Sequence, residues 1–352
     1  MRSSRPPFSL SGVAQAVSDV GRAYSPSRVG RALRVDVPQK IRKSGPFKLP
    51  LTVAEPPYFS RLLSDLLGNI AELPDFSDDE SVAVMSDFGG EHSSACFYTY
   101  SFLFLAYSKV GPFSEKVRDL REKHGLLDPY SEFAYKELKH GPRSRALGGF
   151  LRIVDSLVHG SVITLAIDKR IDTVFGWDKK PTYDFMARHL AENNLGVWEG
   201  AASEKLFRVC HALAAFTAIL VSEDQKFLWY SDNDSINENG SKRDFADTQK
   251  AFQSVLAVYM RKQPRLLGFG KSFADRSHLD DLLSIPDLAA GVVQDLLQAQ
   301  RTGSDIPGGP EKVAVMRWIA TPARFLSKVT LQISRMPDGG IGTGVVAITP
   351  RG

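Results

Sequence analysis

Apolar residues along the chain change period several times, and each change marks an element. Residues 1–57 are broken by Pro6, Pro7, Pro26, Pro38, Pro46, Pro50, Pro56 and Pro57; within them Val13, Ala16, Val17 and Val20 predict one short helix. Leu62, Leu63, Leu66, Leu67 and Ile70 then fall on one side of a helix over residues 59–73. An acidic stretch, 75–80, leads into an apolar strand that starts at Ser81 and ends in Asp87. The pair Gly89-Gly90 separates it from an aromatic strand over 96–107, which predicts a hairpin. A charged helix is expected over 114–124, and alternating aromatic and polar residues from Glu132 to Lys139 predict a third strand. Pro142 opens a helix with the stripe Leu147, Phe150, Leu151, Val154, Leu157 and Val158.

Residues 161–170 form a run of strand length ending in Asp168, as suits a strand covered on both faces. A polar insertion over 175–200 precedes an almost wholly apolar helix over 204–221. A short strand from Lys226 then ends in Asp232 and Asp234. Strand, helix, strand predicts a parallel pair with a right-handed crossover. Helices are expected over 245–260 and 282–300, a linker over 303–310, and a terminal hairpin from residues 329–334 and 344–349. The expected architecture is α/β, a mixed five-stranded sheet flanked by helices. It divides into a basic, Pro-rich arm (1–57), a main domain (58–302) and a C-terminal extension carrying the hairpin (303–352).

Composition narrows the class. Apolar and charged fractions of 43% and 24% are those of a globular protein with a full core. Cys96 and Cys210 form no CxxC pair, so neither a zinc site nor a disulfide framework is supported. The longest apolar runs fall short of the roughly 20 residues that span a bilayer. With no apolar leader at the N-terminus, the expected location is cytoplasmic, away from membranes. The net charge of +4 is unevenly placed: residues 1–50 hold ten Lys or Arg against Asp19 and Asp36. Such an arm suits an anionic partner, most simply DNA or RNA, with Arg28, Arg31, Arg34, Lys40, Arg42 and Lys43 as phosphate contacts; a solvated tail is the alternative.

The carboxylates carry the candidate chemistry. Asp87, Asp168, Asp232 and Asp234 close predicted strands, Glu137 closes the third, and Asp287 lies in a helix before Gly291. Two hard cations, Mg²⁺ or Mn²⁺, held roughly 3.5–4 Å apart by such oxygens can clamp the attacking and leaving oxygens of a phosphodiester. Each residue also has a plainer reading. Asp232 and Asp234 can shape a turn, Asp168 can pair with Lys169 or Arg170, and Ser284-Ile-Pro-Asp287 fits a capping box at a helix start. His92, beside Asp87, is a further candidate for proton transfer or phosphate contact.

Five short motifs occur in order: Ser86-Asp87-Phe-Gly-Gly, Glu137-Leu138-Lys139, Ile167-Asp168-Lys169, Ser231-Asp232-Asn-Asp234 and Leu282-Leu283-Ser-Ile-Pro-Asp287-Leu-Ala-Ala-Gly291. On them the chain resembles the bacterial family called domain of unknown function 3800, grouped with ribonuclease H-like nucleases. The resemblance covers roughly residues 81–300. It departs from the family pattern where a Glu follows the first Asp; Phe88 stands there. The resemblance implies a ribonuclease H-like sheet and a metal-dependent nuclease. Asp87, Glu137, Asp168 and Asp287 would be its catalytic metal ligands, with Asp232 and Asp234 nearby or substituting. By analogy it also implies a regulated role, such as defence against phage or mobile elements, under a protein partner. The rival expectation is a catalytically silent subunit that binds nucleic acid or a partner protein.

Overall fold

The computed structural model describes residues 41–128, 130–272, 278–306 and 308–349. In chain order they form β1 (Lys43–Ser44), α1 (Tyr58–Gly68), β2 (Leu73–Pro74), β3 (Ser81–Gly89), β4 (Phe97–Ala106), α2 (Gly111–His124), α3 (Gly141–Leu157) and β5 (Gly160–Asp168). They continue as α4 (Lys179–Glu192), α5 (Gly200–Leu220), β6 (Lys226–Ser231), α6 (Phe245–Leu256), β7 (Leu266–Lys271), α7 (His278–Thr302), α8 (Pro310–Ala320), β8 (Leu326–Arg335) and β9 (Ile341–Val346). The expected helix at Val13–Val20, and Arg28, Arg31, Arg34 and Lys40, lie outside the described residues.

One sheet takes the order β7-β6-β3-β4-β5-β8-β9. β3, β4 and β5 form an antiparallel meander. β6 joins the free side of β3 in parallel, and β7 joins β6 in parallel. These five strands form a mixed sheet, a meander continued by parallel strands and flanked by helices, as the sequence predicts in outline.

Three expectations need correction. Residues 132–139 are not a strand: Tyr135–Glu137 is a single 3₁₀ turn. Their aromatic alternation instead packs a crossing segment, with Phe133 stacked on Phe150 at 4.4 Å. Second, β5 and β6 are parallel but not neighbours, because β3 and β4 lie between them. Third, the sheet has seven strands. β7, a glycine-containing strand of partly exposed residues, is added at one edge, and the terminal hairpin extends the other, β8 pairing in parallel with β5.

Alternation along the strands splits the core in two. Val82 and Val84 of β3 and Phe227 and Trp229 of β6 face a layer built on α1, α5 and α6. Ala83 and Met85, with Leu228 and Tyr230, face α2, α3, α7 and α8. Period two therefore directs Asp87 to the α7 side as well. α7 crosses β3, β4 and β5 on that face. It starts well before the predicted boundary, running through Pro286, and the Ser284 hydroxyl donates to the Asp280 carbonyl at 3.1 Å. Ser284 is thus inside a helix and caps nothing, which removes the capping role considered for Asp287.

Part of the basic arm packs on the body. Leu49 is buried, and the Thr52 amide donates to the Val258 carbonyl at 2.9 Å. Arg42 pairs with Asp78 at 2.6 Å and Lys43 pairs with Glu72, so these two charges are locally balanced.

Candidate active site

The carboxyl ends of the parallel strands β3 and β6 open onto a cleft of about 600 Å³. Its walls include Asp87, Gly89, Gly90, Glu91 and His92 from the β3–β4 hairpin, Asp232 and Asp234 after β6, and Glu132 and Tyr135 from the crossing segment. Asp287, Gly291, Gln294 and Asp295 come from α7, and Lys312 from α8. The Asp232 amide donates to the Ser86 carbonyl at 3.3 Å, which sets Asp232 against the strand that carries Asp87. The Asp287 carboxylate accepts the Tyr135 amide at 2.6 Å. That approach depends on Gly291, where a Cβ would overlap the Tyr135 ring. The glycine admits a neighbouring side chain, not a strand or ligand.

The electrostatics are those of crowded like charges. Burial pushes the Asp87 carboxyl well above its usual value, and Asp287, Asp232 and Asp234 push it further. Burial raises Asp287 to about 7; the Tyr135 amide opposes this, while Glu132 and Asp232 add to it. Asp234 differs, because its Oδ2 accepts from the Lys205 ammonium at 2.7 Å and its Oδ1 caps the Ile236 amide at 3.0 Å. Lys205 also pairs with Glu91.

These shifts give a stability prediction for the metal-free protein. Asp287 keeps its proton up to about pH 7 when folded, but loses it near 4 when unfolded. The stability this contributes is full below about pH 4 and is lost as pH rises through 7. Thermal melts in chelator should therefore show Asp287→Asn gaining stability over wild type at pH 8 by about 1–4 kcal/mol, and gaining little at pH 4.5. Equal gains at both values would contradict the assignment.

Two predicted ligands are not part of this cluster. Asp168 is fully buried, clasped by Arg301 through two bonds of 2.7 Å and by Arg170 at 2.7 Å. Register explains its distance from the cleft. Asp87 pairs with Ser101 and Ser101 with Thr164, so Asp168 is two strands across and four residues further on, roughly 10 Å by 13 Å away. Glu137 is exposed and paired with Arg143, outside the cleft. Glu132, five residues earlier, takes the place by the cluster that the sequence suggested for Glu137. His92 lines the cleft but is exposed, its Nδ1 3.0 Å from the Ser94 hydroxyl.

Sequence reasoning missed Glu132, Lys205 and Gln294. Lys205 had a signal, being one of few charges in an otherwise apolar helix. Gln294 had another, lying seven residues after Asp287 and hence on the same helix face. Among the described residues, no group of three or more His, Cys, Asp or Glu stands ready-made around one cation position. The side chains present are of the oxygen-donor type that a hard cation takes: several carboxylates crowd together, and burial with like charge raises the proton affinity of Asp87 and Asp287.

No protein-family model matches the chain, and no curated protein matches it. Among solved structures, the ribonuclease H2 from Pyrococcus horikoshii OT3 is similar at 14% identity and a TM-score of 0.33, over 68% of this chain and 85% of that one. No helix among the described residues is long and apolar enough to cross a membrane.

Proposed function

We propose that the chain is a metal-dependent hydrolase of nucleic-acid phosphodiesters, with Asp87, Asp232 and Asp287 holding Mg²⁺ or Mn²⁺ and Glu132 beside them. The carrying observation is the convergence of carboxylates from β3, the β6 loop and α7, spread over 200 positions of chain, with Asp87 and Asp287 both raised by burial and by their acidic neighbours. Turn and cap roles give no reason for such costly crowding. When bound, the cations supply charge stabilisation to the attacking and leaving oxygens. The chain's own groups orient the carboxylates: the Tyr135 amide fixes Asp287, and the Lys205 ammonium donates to Asp234. That second contact also favours the alternative of a silent binding subunit, since it already neutralises one carboxylate. End-labelled single- and double-stranded RNA and DNA, incubated with purified protein and Mn²⁺, decide between them. Cleavage that chelator abolishes supports the hydrolase, whereas binding without cleavage of any of the four supports the silent subunit.

The arm belongs to the same proposal as its nucleic-acid contact. Removing residues 1–40 takes away Arg28, Arg31, Arg34 and Lys40 while leaving Leu49 and Thr52 packed. Affinity for nucleic acid is expected to fall, and the slope of log K against log salt to flatten by about 0.7–0.9 per lost phosphate contact. An unchanged slope would assign the arm to something else.

A further inference from the structure

Asp168 gathers more positive charge than it neutralises. Its carboxylate is buried at the end of β5, and two guanidinium groups converge on it, Arg301 from the last turn of α7 and Arg170 from two residues on. One bidentate arginine balances a buried carboxylate. Arg301 already does so, bonding both oxygens at 2.7 Å with its guanidinium 4.1 Å from the centre of the Phe97 ring. The charge of Arg170 is therefore surplus, and Arg170 is also the accessible member, its side chain 59% exposed. Its Nε and Nη2 are held by Asp168 and by the Arg335 carbonyl. Among the described residues nothing bonds Nη1, and a guanidinium nitrogen can only donate.

This cluster stands at the same end of the sheet as the cleft. β3 and β5 are both antiparallel to β4, so Asp87 and Asp168 close their strands on one side, roughly 16 Å apart by the strand and residue offsets. Two links make the surface between them continuous. The Lys169 ammonium donates to the carbonyl of His92, a cleft residue, at 2.7 Å. On α7, Gln298 holds the Cys96 amide and the Ser94 carbonyl, each at 3.0 Å, between cleft-lining Gln294 and Arg301. The acidic neighbour of Lys169 is Glu91, which also pairs with Lys205. A cleft lined by carboxylates repels a polyanion, so affinity for a nucleic-acid strand has to come from cations beside it.

We propose that Arg170, set in place by Asp168 beside Arg301, binds a phosphate of the nucleic-acid strand some nucleotides away from the bond that is cut. This rests on the hydrolase reading above. Binding is measured by anisotropy of labelled single-stranded RNA and DNA 12-mers over a salt series, in an Asp87→Asn background so that cleavage does not intervene, with melting followed alongside. Arg170→Gln should weaken binding about 3- to 10-fold and flatten the salt slope by about 0.7, the value for one contact to a single strand. Melting should move little, because Arg301 still balances Asp168. Arg170→Lys keeps the charge and should keep most of the slope. Lys262→Gln is the control: Lys262 is exposed and pairs with Glu223 at 2.9 Å ahead of β6 and β7, at the end of the sheet away from the cleft, and its loss should change neither quantity. If Arg170→Gln binds as the parent does, or Lys262→Gln weakens binding as much, the proposal is overturned while the hydrolase reading stands. A loss of melting without a loss of binding likewise overturns it and leaves Arg170 a structural partner of Asp168. If the Asp87→Asn parent and the wild type both bind neither 12-mer, the hydrolase reading falls and takes the proposal with it.

Discussion

Asp87→Asn is expected to abolish metal-dependent cleavage while making the metal-free protein more stable. Asp87 is the carboxylate pressed by most of the others: burial first, then Asp287, Asp232 and Asp234, raise its affinity for a proton. Asparagine keeps the shape and one carbonyl oxygen but removes the charge. If the group helps hold the cations, several kcal/mol of transition-state stabilisation go with it, roughly a 10³-fold loss or more at 1.36 kcal/mol per decade. At pH 8 without metal, the same change relieves repulsion in a poorly solvated site, so melting in chelator should rise. The stabilisation that Mn²⁺ gives to the wild type by binding the folded state should disappear. A structural aspartate would lose stability along with activity, so opposite movement of the two quantities is the diagnostic result.

Asp168 should behave in the reverse way. Burial alone would raise its carboxyl, but hydrogen bonds from Arg301 and Arg170 outweigh this and hold it below the usual carboxylate range. It also accepts the Arg170 and Arg335 amides at 3.0 and 3.2 Å, tying the end of β5 to α7 and β8. Asp168→Ala strands two guanidinium groups and two amides, at an expected cost of about 3–5 kcal/mol, the lower end applying because Arg170 and Arg301 keep some water. The melting temperature should fall by on the order of 10 °C. Since the folded carboxyl is depressed, this stability is present above about pH 4 and is lost as pH falls below the unfolded value. The milder Asp168→Asn should retain the Mn²⁺-induced rise in melting that Asp87→Asn loses. Disappearance of that rise in both variants would return Asp168 to the metal site.

The contrast between these residues shows what the sequence made legible. The meander of β3 and β4, the central run of β5, the apolar helices and the final aspartate-bearing helix were all readable, because each buries its apolar face with an unbroken period. The carboxylates at strand ends were readable as a set. Their partition was not, because it depends on register and strand order: Asp87 and Asp168 look alike until β4 is placed between their strands. Glu137 and Glu132 differ only in where a 3₁₀ turn directs them. β7 was missed because its glycines and partly exposed residues dilute the alternation. The role of Gly291 was not legible because its neighbour, Tyr135, is over 150 positions away in sequence.

Anomalous diffraction from crystals soaked in Mn²⁺ tests the central claim most directly, since it locates the cation without reference to any substrate. The predicted result is density in the cleft in contact with Asp87 and Asp287, absent from Asp87→Asn crystals soaked in the same way. Manganese bound only elsewhere, or a cleft without anomalous density while Asp87 and Asp287 keep these positions, would contradict the account.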